Sequence, residues 1–358
     1  MAIQAKKAAA KEPTKRRGTS TDDFYENVQR LNLYPLWRMQ MFPPHKRAVP
    51  YLWKWPVVRE QILRAADQVG TEDVERRVLG LSNPGLQGGR HFAATPNLVA
   101  AIQLIVPGET AVAHHHTPAA LRIILEGKGA YTCTNGERLW MEPGDLILTP
   151  AWTYHDHENK GKGPMIWLDG LDASLIDAMD TFFFSRYPQQ RQQPVTQPDE
   201  ASTHRFAVPG MRPAEYRWDK PYSPLTKYPW RKTLEALDAL LESEASAFDD
   251  LLLEFYNPHT GGPVLPSMGC CAQKLRPGIH TRRHRHSSAA VYHAFRGSGI
   301  TLVEGKPLEW SAGDIFALPG WHWHEHINAS KKDPAVLLSY TDRPLLKALG
   351  IHMEEQQD

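Results

Sequence analysis

The hydrophobic positions of this chain change period twice along its length. Phe24, Val28 and Leu31 recur at helical spacing behind Ser20-Thr21-Asp22-Asp23, a run that reads as a capping box, so a helix is expected to open there. VVREQILRAADQVG carries a second helical pattern, stopped by Gly70. From about Phe92 to Leu168 the period shortens. Apolar runs such as LRIILEG, AYTCT, RLWMEPG and DLILTP are separated by Gly, Pro and Asn-Gly, which predicts short strands. Asn135-Gly136 between two of these runs predicts a hairpin. Residues 185–232, rich in Pro, Gln and Arg, read as a connector. TLEALDALLESEASAFDDLLLEFY then predicts one or two helices, with Thr233 as N-cap. The strand texture returns from about Cys270.

That return is a repeat. QLIVPGETAVAHHHTPAALRIILEGKG, from Gln103, and QKLRPGIHTRRHRHSSAAVYHAFRGSG, from Gln273, align without a gap. EPGDLILTPAWTYHDHEN, from Glu142, matches SAGDIFALPGWHWHEHIN, from Ser311, again in step. Twelve of the 17 histidines fall inside these copies, so they belong to a duplicated site design. Duplicated β units of this size imply two small barrels, and a mainly β fold with a helical N-terminal region and a helical connector. The expected organisation is a disordered tail over 1–20, a helical region over 21–90, a first barrel over 91–180, a connector over 181–255, a second barrel over 256–345 and a C-terminal tail over 346–358.

Composition narrows the function. The 358 residues suffice for two domains, and 41 basic against 40 acidic residues give no global charge that would draw nucleic acid or a membrane surface. Cys133, Cys270 and Cys271 cannot build a disulfide framework and fit a reducing cytoplasm. The N-terminal MAIQAKKAAAKEPTKRRG is basic without an apolar core, so no secretory signal is expected. No stretch nears the roughly 18 uninterrupted apolar residues of a membrane span.

The chemistry lies in the histidines. Residues i and i+2 of a strand share a face, so His114 and His116 point together and His115 points away. A third ligand must come from another strand, and Thr153-Tyr154-His155-Asp156-His157 supplies candidates. Neutral imidazoles suit iron, zinc, copper or nickel. A single H-x-H is as well explained by a hydrogen-bonded polar pair. Two copies, each followed by Gly-Asp, a proline and a further histidine at matching spacing, argue for metal.

These residues resemble the cupin superfamily. Gly108, His114 and His116 fill its first motif, and Gly144, Pro150, His155 and Asn159 its second, with Trp152 where the family carries glycine. The glutamate of the first motif is missing, since Ala120 and Leu121 stand at its places, which leaves three histidines. Together with FAATPNL, H-x-H-T-x-x-A-L-R, the PGD turn and Trp-x-Tyr-His-Asp-His, the duplicated chain resembles the gentisate 1,2-dioxygenase family, which includes salicylate and 1-hydroxy-2-naphthoate dioxygenases. The resemblance implies Fe(II) on His114, His116 and His155, a small aromatic acid chelated through carboxylate and ortho-hydroxyl, O2 as co-substrate, and a homotetramer. It also implies ring opening between the carbons bearing those two groups.

Further roles follow in that frame. Arg122 is expected to face the barrel interior and grip the carboxylate with its planar fork. His157, sharing a face with His155, is the candidate general acid/base. Gln103 resembles an inward glutamine that contacts substrate, and Asp169 a pocket aspartate that senses the ring substituent para to the hydroxyl. Arg76 and Arg77 are weaker candidates for the substrate pocket, supplied from this chain or a neighbouring subunit. Val99 and Ala101 precede Gln103, and His115 stands where relatives often carry arginine. Ala101 resembles gentisate-selective members, so gentisate is the expected substrate, ahead of substituted salicylates such as 5-nitrosalicylate and of 1-hydroxy-2-naphthoate. In the second barrel His284, His286 and His324 keep the ligand spacing, which permits a second metal, but Tyr292 stands for Arg122 and Leu338 for Asp169, so that barrel reads as structural, with a second iron as the alternative. The competing readings are a zinc or nickel cupin hydrolase or isomerase, and a non-enzymatic bicupin binding protein.

Overall fold

The computed structural model describes residues 20–39, 47–70, 74, 76–86, 92–188 and 191–357; the expected tail over 1–20 lies outside them except for Ser20. The chain divides into a unit ending at Lys46 and a unit from Arg47 to Asp358. In the first, helix Thr21–Arg30 is capped as anticipated: the Asp23 amide donates to Ser20 Oγ at 3.1 Å and the Ser20 amide to Asp23 Oδ2 at 2.9 Å. None of its residues is buried, and Phe24, Leu31, Leu33, Leu36 and Trp37 are exposed.

The second unit opens with helix Trp55–Gln68, which carries Pro56 in its first turn and stops just before Gly70. Two antiparallel barrels follow, each a six-stranded sheet against a five-stranded one. The first six-stranded sheet runs Lys227–Tyr228, Leu146–Thr149, Ala120–Glu126, Met165–Leu171, Val99–Ile105, Arg77–Gly80. Its counterpart runs Tyr51–Trp53, Ile315–Leu318, Ala290–Arg296, Ala335–Thr341, Gly269–Leu275, Leu251–Phe255. The five-stranded sheets hold the histidine strands: Thr110–His116 beside His155–Asn159, and His284–His286 beside His324–Ile327. Asn135 (φ 47°) and Gly136 (φ 79°) make the expected tight turn between Ala130–Thr134 and Glu137–Trp140.

Both faces of the six-stranded sheets are buried. In Val99–Ile105 every residue is buried, and alternation splits them: Ala100, Ile102 and Leu104 pack into the seam between the barrels, while Val99, Ala101, Gln103 and Ile105 face inward. Ile102, Leu104, Leu121, Ile123, Ile166 and Leu168 meet Val291, Ala317, Val336, Leu338 and Tyr340 across that seam. Tyr340 also donates its hydroxyl to the Val99 carbonyl at 2.8 Å. Gly170 lets this ring approach; a Cβ there would lie 2.8 Å from it.

The connector departs from expectation. Among its described residues Ala201–Phe206 and Trp230–Ala239 are α-helical and Glu242–Glu244 is a single 3-10 turn; the helix Trp230–Ala239 begins before Thr233, whose hydroxyl instead reaches back to the Pro229 carbonyl at 3.4 Å. The apolar run Leu251–Phe255 is a strand, because pairing with Gly269–Leu275 outcompetes its helical propensity. The three cysteines are free, and among the described residues no helix is long and apolar enough to cross a membrane.

Ile102→Ala, which empties part of the seam, is expected to lower the unfolding free energy by about 2–5 kcal/mol, read as a lower urea midpoint at constant slope. A shift below about 0.5 kcal/mol would show that the seam does not hold the barrels.

Candidate functional site

In the first barrel three imidazoles converge. A register shift between Ala111 and His114, where Thr110–His116 pairs with His155–Asn159, turns His114 and His116 inward and sets His114 opposite His155. His115 leaves the barrel and stacks on Tyr154, ring centroids 4.1 Å apart and planes 7° from parallel. The inward three each donate Nδ1–H to a local carbonyl: His114 to Val112 at 2.8 Å, His116 to Pro118 at 2.7 Å and His155 to Thr153 at 3.1 Å. That tautomer turns every Nε2 toward the centre as an acceptor, His114 Nε2 accepting from Arg76, and one ligating nitrogen from each lies within 4.8 Å of the others. His155 Nε2 is buried with no hydrogen-bond partner.

The rings are held neutral. Burial, then the Arg76 cation, pushes His114 down to about 2; burial brings His116 to about 4 and holds His155 well below the usual imidazole range. Neutral imidazoles with fixed rings, converging nitrogens and one of these, His155 Nε2, orphaned fit a first-row divalent metal.

Charged groups surround this centre. Arg76 Nη1 lies 2.8 Å from His114 Nε2. Arg122 is buried, donates Nη1–H to Thr149 Oγ1, and holds Nε 3.2 Å from Asp169 Oδ1. That distance gives Coulomb attraction, but the N–H is not aimed at the oxygen, so neither atom has a formed hydrogen bond. Burial lowers the Arg122 value and raises that of Asp169, each partly offset by the other's charge. Two guanidiniums, Arg76 and Arg122, therefore stand beside the centre, with the Asp169 carboxylate against the second.

The rest of the wall follows from register. Ala101, Asp169 and Arg122 stand side by side across three strands, with Gln103 opposite Trp167 one step along. Gln103 is buried with Nε2 unpartnered. His157 is fully buried, stacks against Trp167 at 4.9 Å, and has no partner on either ring nitrogen; burial holds it well below the usual imidazole range. Val99 is buried on the same inward face.

A cupin-domain family model matches residues 101–170 and 272–341, the two barrels. The 5-aminosalicylate 1,2-dioxygenase of a Comamonas species is 37% identical, over 94% of this chain and 90% of its own. A gentisate 1,2-dioxygenase of Aquipseudomonas alcaligenes is 35% identical, over 93% and 96%. The crystal structure of the salicylate 1,2-dioxygenase of Pseudoaminobacter salicylatoxidans in adduct with gentisate superposes with a TM-score of 0.88 at 30% identity, covering 96% of each chain. The chain belongs to the gentisate and salicylate 1,2-dioxygenase family.

Within that family frame one expected residue is displaced. Arg77 is turned away from Arg76 by strand alternation; it ion-pairs with Glu109 at 2.7 Å and donates to the Val69 carbonyl, so it braces an edge strand and does not reach the histidines. Three contributors went unread in the sequence. Trp167 donates Nε1–H to Asp169 Oδ2 at 3.0 Å and could have been found two residues ahead of it on the same face. Thr149 bonds Arg122, and Phe184, in a connector strand beside Thr110–His116, stacks on His114 at 5.0 Å; neither carries a local signal. In the second barrel Tyr292 pairs with Ser339, so Ser339 and not Leu338 stands where Asp169 does, because the preceding turn is one residue longer.

Because the lowered values keep the ligands neutral in acid, metal binding should persist as pH falls. From pH 7.5 to 5.5 three ordinary imidazoles would lose affinity about a thousandfold through protonation. This site is expected to lose less than about tenfold over that range, measured by Co(II) titration of the metal-free protein; a thousandfold loss would show ordinary, exposed histidines.

Proposed function

We propose that the first barrel is an Fe(II)-dependent ring-cleaving site acting on a 2-hydroxybenzoate, with gentisate, opened to maleylpyruvate, as the preferred substrate. The observation that carries this reading is the convergence of three buried imidazoles beside two guanidiniums, Arg76 and Arg122. Iron held by His114, His116 and His155 would supply chelation of the carboxylate and ortho-hydroxyl and activation of O2.

The chain's own groups account for the rest. Arg76 and Arg122 offer the substrate carboxylate two guanidinium forks. Asp169 and Thr149 hold the Arg122 fork in place, and Trp167 holds Asp169. His157, neutral and unpartnered at both nitrogens, can accept the phenolic proton as the acid chelates and return it to the opened product. Gln103 offers its unpartnered amide to a substrate oxygen. Ala101 and Val99 keep the inward wall small, leaving room for a ring substituent. Names carried by relatives, 5-aminosalicylate and gentisate dioxygenases, support a ring bearing a donor group at the 5-position. We also propose a homotetramer: the apolar side chains exposed on the N-terminal helix, and a groove of about 480 Å³ lined by Phe206, Leu225, Tyr228, Leu253 and Phe255, are surfaces an assembly would cover. The cysteine usage supports a cytoplasmic setting.

Oxygen consumption by anaerobically Fe(II)-loaded protein tests the reading, with gentisate, salicylate and 5-nitrosalicylate in parallel. Uptake of one O2 per gentisate is expected. Uptake with the salicylates alone moves the substrate, and bound metal without uptake from any of them rejects ring cleavage in favour of zinc-type chemistry or binding.

His155→Ala is expected to abolish metal binding in the first barrel and all turnover. Arg122→Ala should retain that metal and lose kcat/KM by about a hundredfold, mostly through KM. Adding Asp169→Asn, which neutralises the stranded carboxylate, should restore stability without restoring turnover. Recovery of turnover in the double variant would remove Arg122 from substrate binding.

A further inference from the structure

The second barrel repeats the imidazole geometry inside the opposite charge. His284, His286 and His324 are buried and bring one ring nitrogen each within 4.8 Å of the others. The His284 and His286 rings lie 4.1 and 5.1 Å from His324. His286 and His324 fix their rings by Nδ1–H bonds to the Ser288 and His322 carbonyls, at 2.8 and 3.0 Å, so their Nε2 atoms point inward. His324 Nε2 and His284 Nδ1 are buried without a partner. The convergence is that of the first barrel, and among the described residues these two nitrogens have no hydrogen-bond partner.

The neighbours differ. The Arg76 guanidinium meets His114 Nε2 in the first barrel, whereas the Asp249 carboxylate faces His284 Nε2 in the second, 3.9 Å away. Arg343 also lines this pocket, but Glu254 and Glu354 flank it at 3.6 and 3.4 Å. Of the groups that line the pocket only Asp249 and Arg343 are acidic or guanidinium-bearing, so it sets a carboxylate against His284 where the first barrel sets a guanidinium against His114, which suits a divalent cation. Room points the same way. Tyr292 replaces Arg122 and stacks on Phe316 at 4.7 Å, with Trp310 stacked beyond it, and the remaining cavity is about 40 Å³. That volume admits an ion with a water, and no benzene ring. The partner of the proton-handling His157 is also spoken for: His326 Nδ1 is 2.9 Å from Thr301 Oγ1.

We propose that the second barrel holds its own first-row divalent ion on His284, His286 and His324, with the Asp249 carboxylate beside it, in a site too small for substrate. The carboxylate, 3.9 Å from His284 Nε2, sets a negative charge next to the bound ion. The ion and this carboxylate join segments far apart in sequence: the end of the connector, the His284–His286 strand and the His324–Ile327 strand. The inference does not depend on the iron or substrate of the first barrel.

Metal counting on the intact chain tests it. Protein reconstituted anaerobically with Co(II) and freed of excess is assayed by elemental analysis as wild type, His155→Ala and Asp249→Ala. The expected content is two ions per chain in wild type and one in His155→Ala, a variant that leaves the second barrel untouched. Asp249→Ala should bind its weaker ion at least tenfold less tightly against a chelating indicator, with the other ion unchanged. One ion per chain in wild type and none in His155→Ala overturns the proposal, and two ions with unaltered affinities in Asp249→Ala overturns the role given to Asp249. Anomalous diffraction at the cobalt edge from wild-type crystals locates the second ion independently of any variant. Two ions without oxygen uptake would reject only ring cleavage in the first barrel; oxygen uptake with a single ion would reject only this site.

Discussion

Everything in this molecule depends on sheets whose two faces are both buried. The strand Val99–Ile105 presents Ala100, Ile102 and Leu104 to the other barrel and Val99, Ala101 and Gln103 to the pocket. Apolar burial in the seam therefore fixes, to within one residue of register, which side chains meet the substrate. The same strands carry stability on one face and specificity on the other. The seam reaches the pocket directly at Val99, whose carbonyl is held by Tyr340 from the opposite barrel.

Duplication gives two copies of one frame, and charge separates them. Each copy fixes three rings by hydrogen bonds from Nδ1 or by burial and directs ligating nitrogens to one point. What surrounds that point decides what it can accept: two arginines and one aspartate around the first, an aspartate and a flanked arginine around the second. The turns ahead of the third histidine share a cost as well. Trp152 and Trp321 both adopt φ of 62°, a left-handed conformation that disfavours bulky side chains by roughly 1–2 kcal/mol. Their amides donate to the His116 and His286 carbonyls at 2.8 and 2.7 Å, which ties the strain to the placing of the ligand strands.

Much of this was legible in the sequence, because it is periodic. The repeat, the H-x-H spacing, the Asn135-Gly136 turn and the Ser20 cap are local patterns with local causes, and all four stand in the structure. What was not legible is set by distant partners. Leu251–Phe255 carries a helix-compatible run that becomes a strand only because Gly269–Leu275 offers it an edge. Arg76 and Arg77 are indistinguishable in the chain, and one residue of alternation sends the first to the histidines and the second to Glu109. Asp249 gave no signal at all, since its partner His284 is 35 residues away and on another sheet (284 minus 249).

Each six-stranded sheet also borrows its outermost strand from outside its own barrel. Lys227–Tyr228 completes the first and Tyr51–Trp53 the second, the latter lying ahead of the whole first barrel in sequence. On the ribosome, Tyr51–Trp53 emerges long before its partner Ile315–Leu318 exists, so that edge waits unpaired while the first barrel forms. Closure of the second barrel then draws the start of the chain across the finished first one. A chain cut between the barrels ahead of Lys227 would therefore release two halves that each lack an edge.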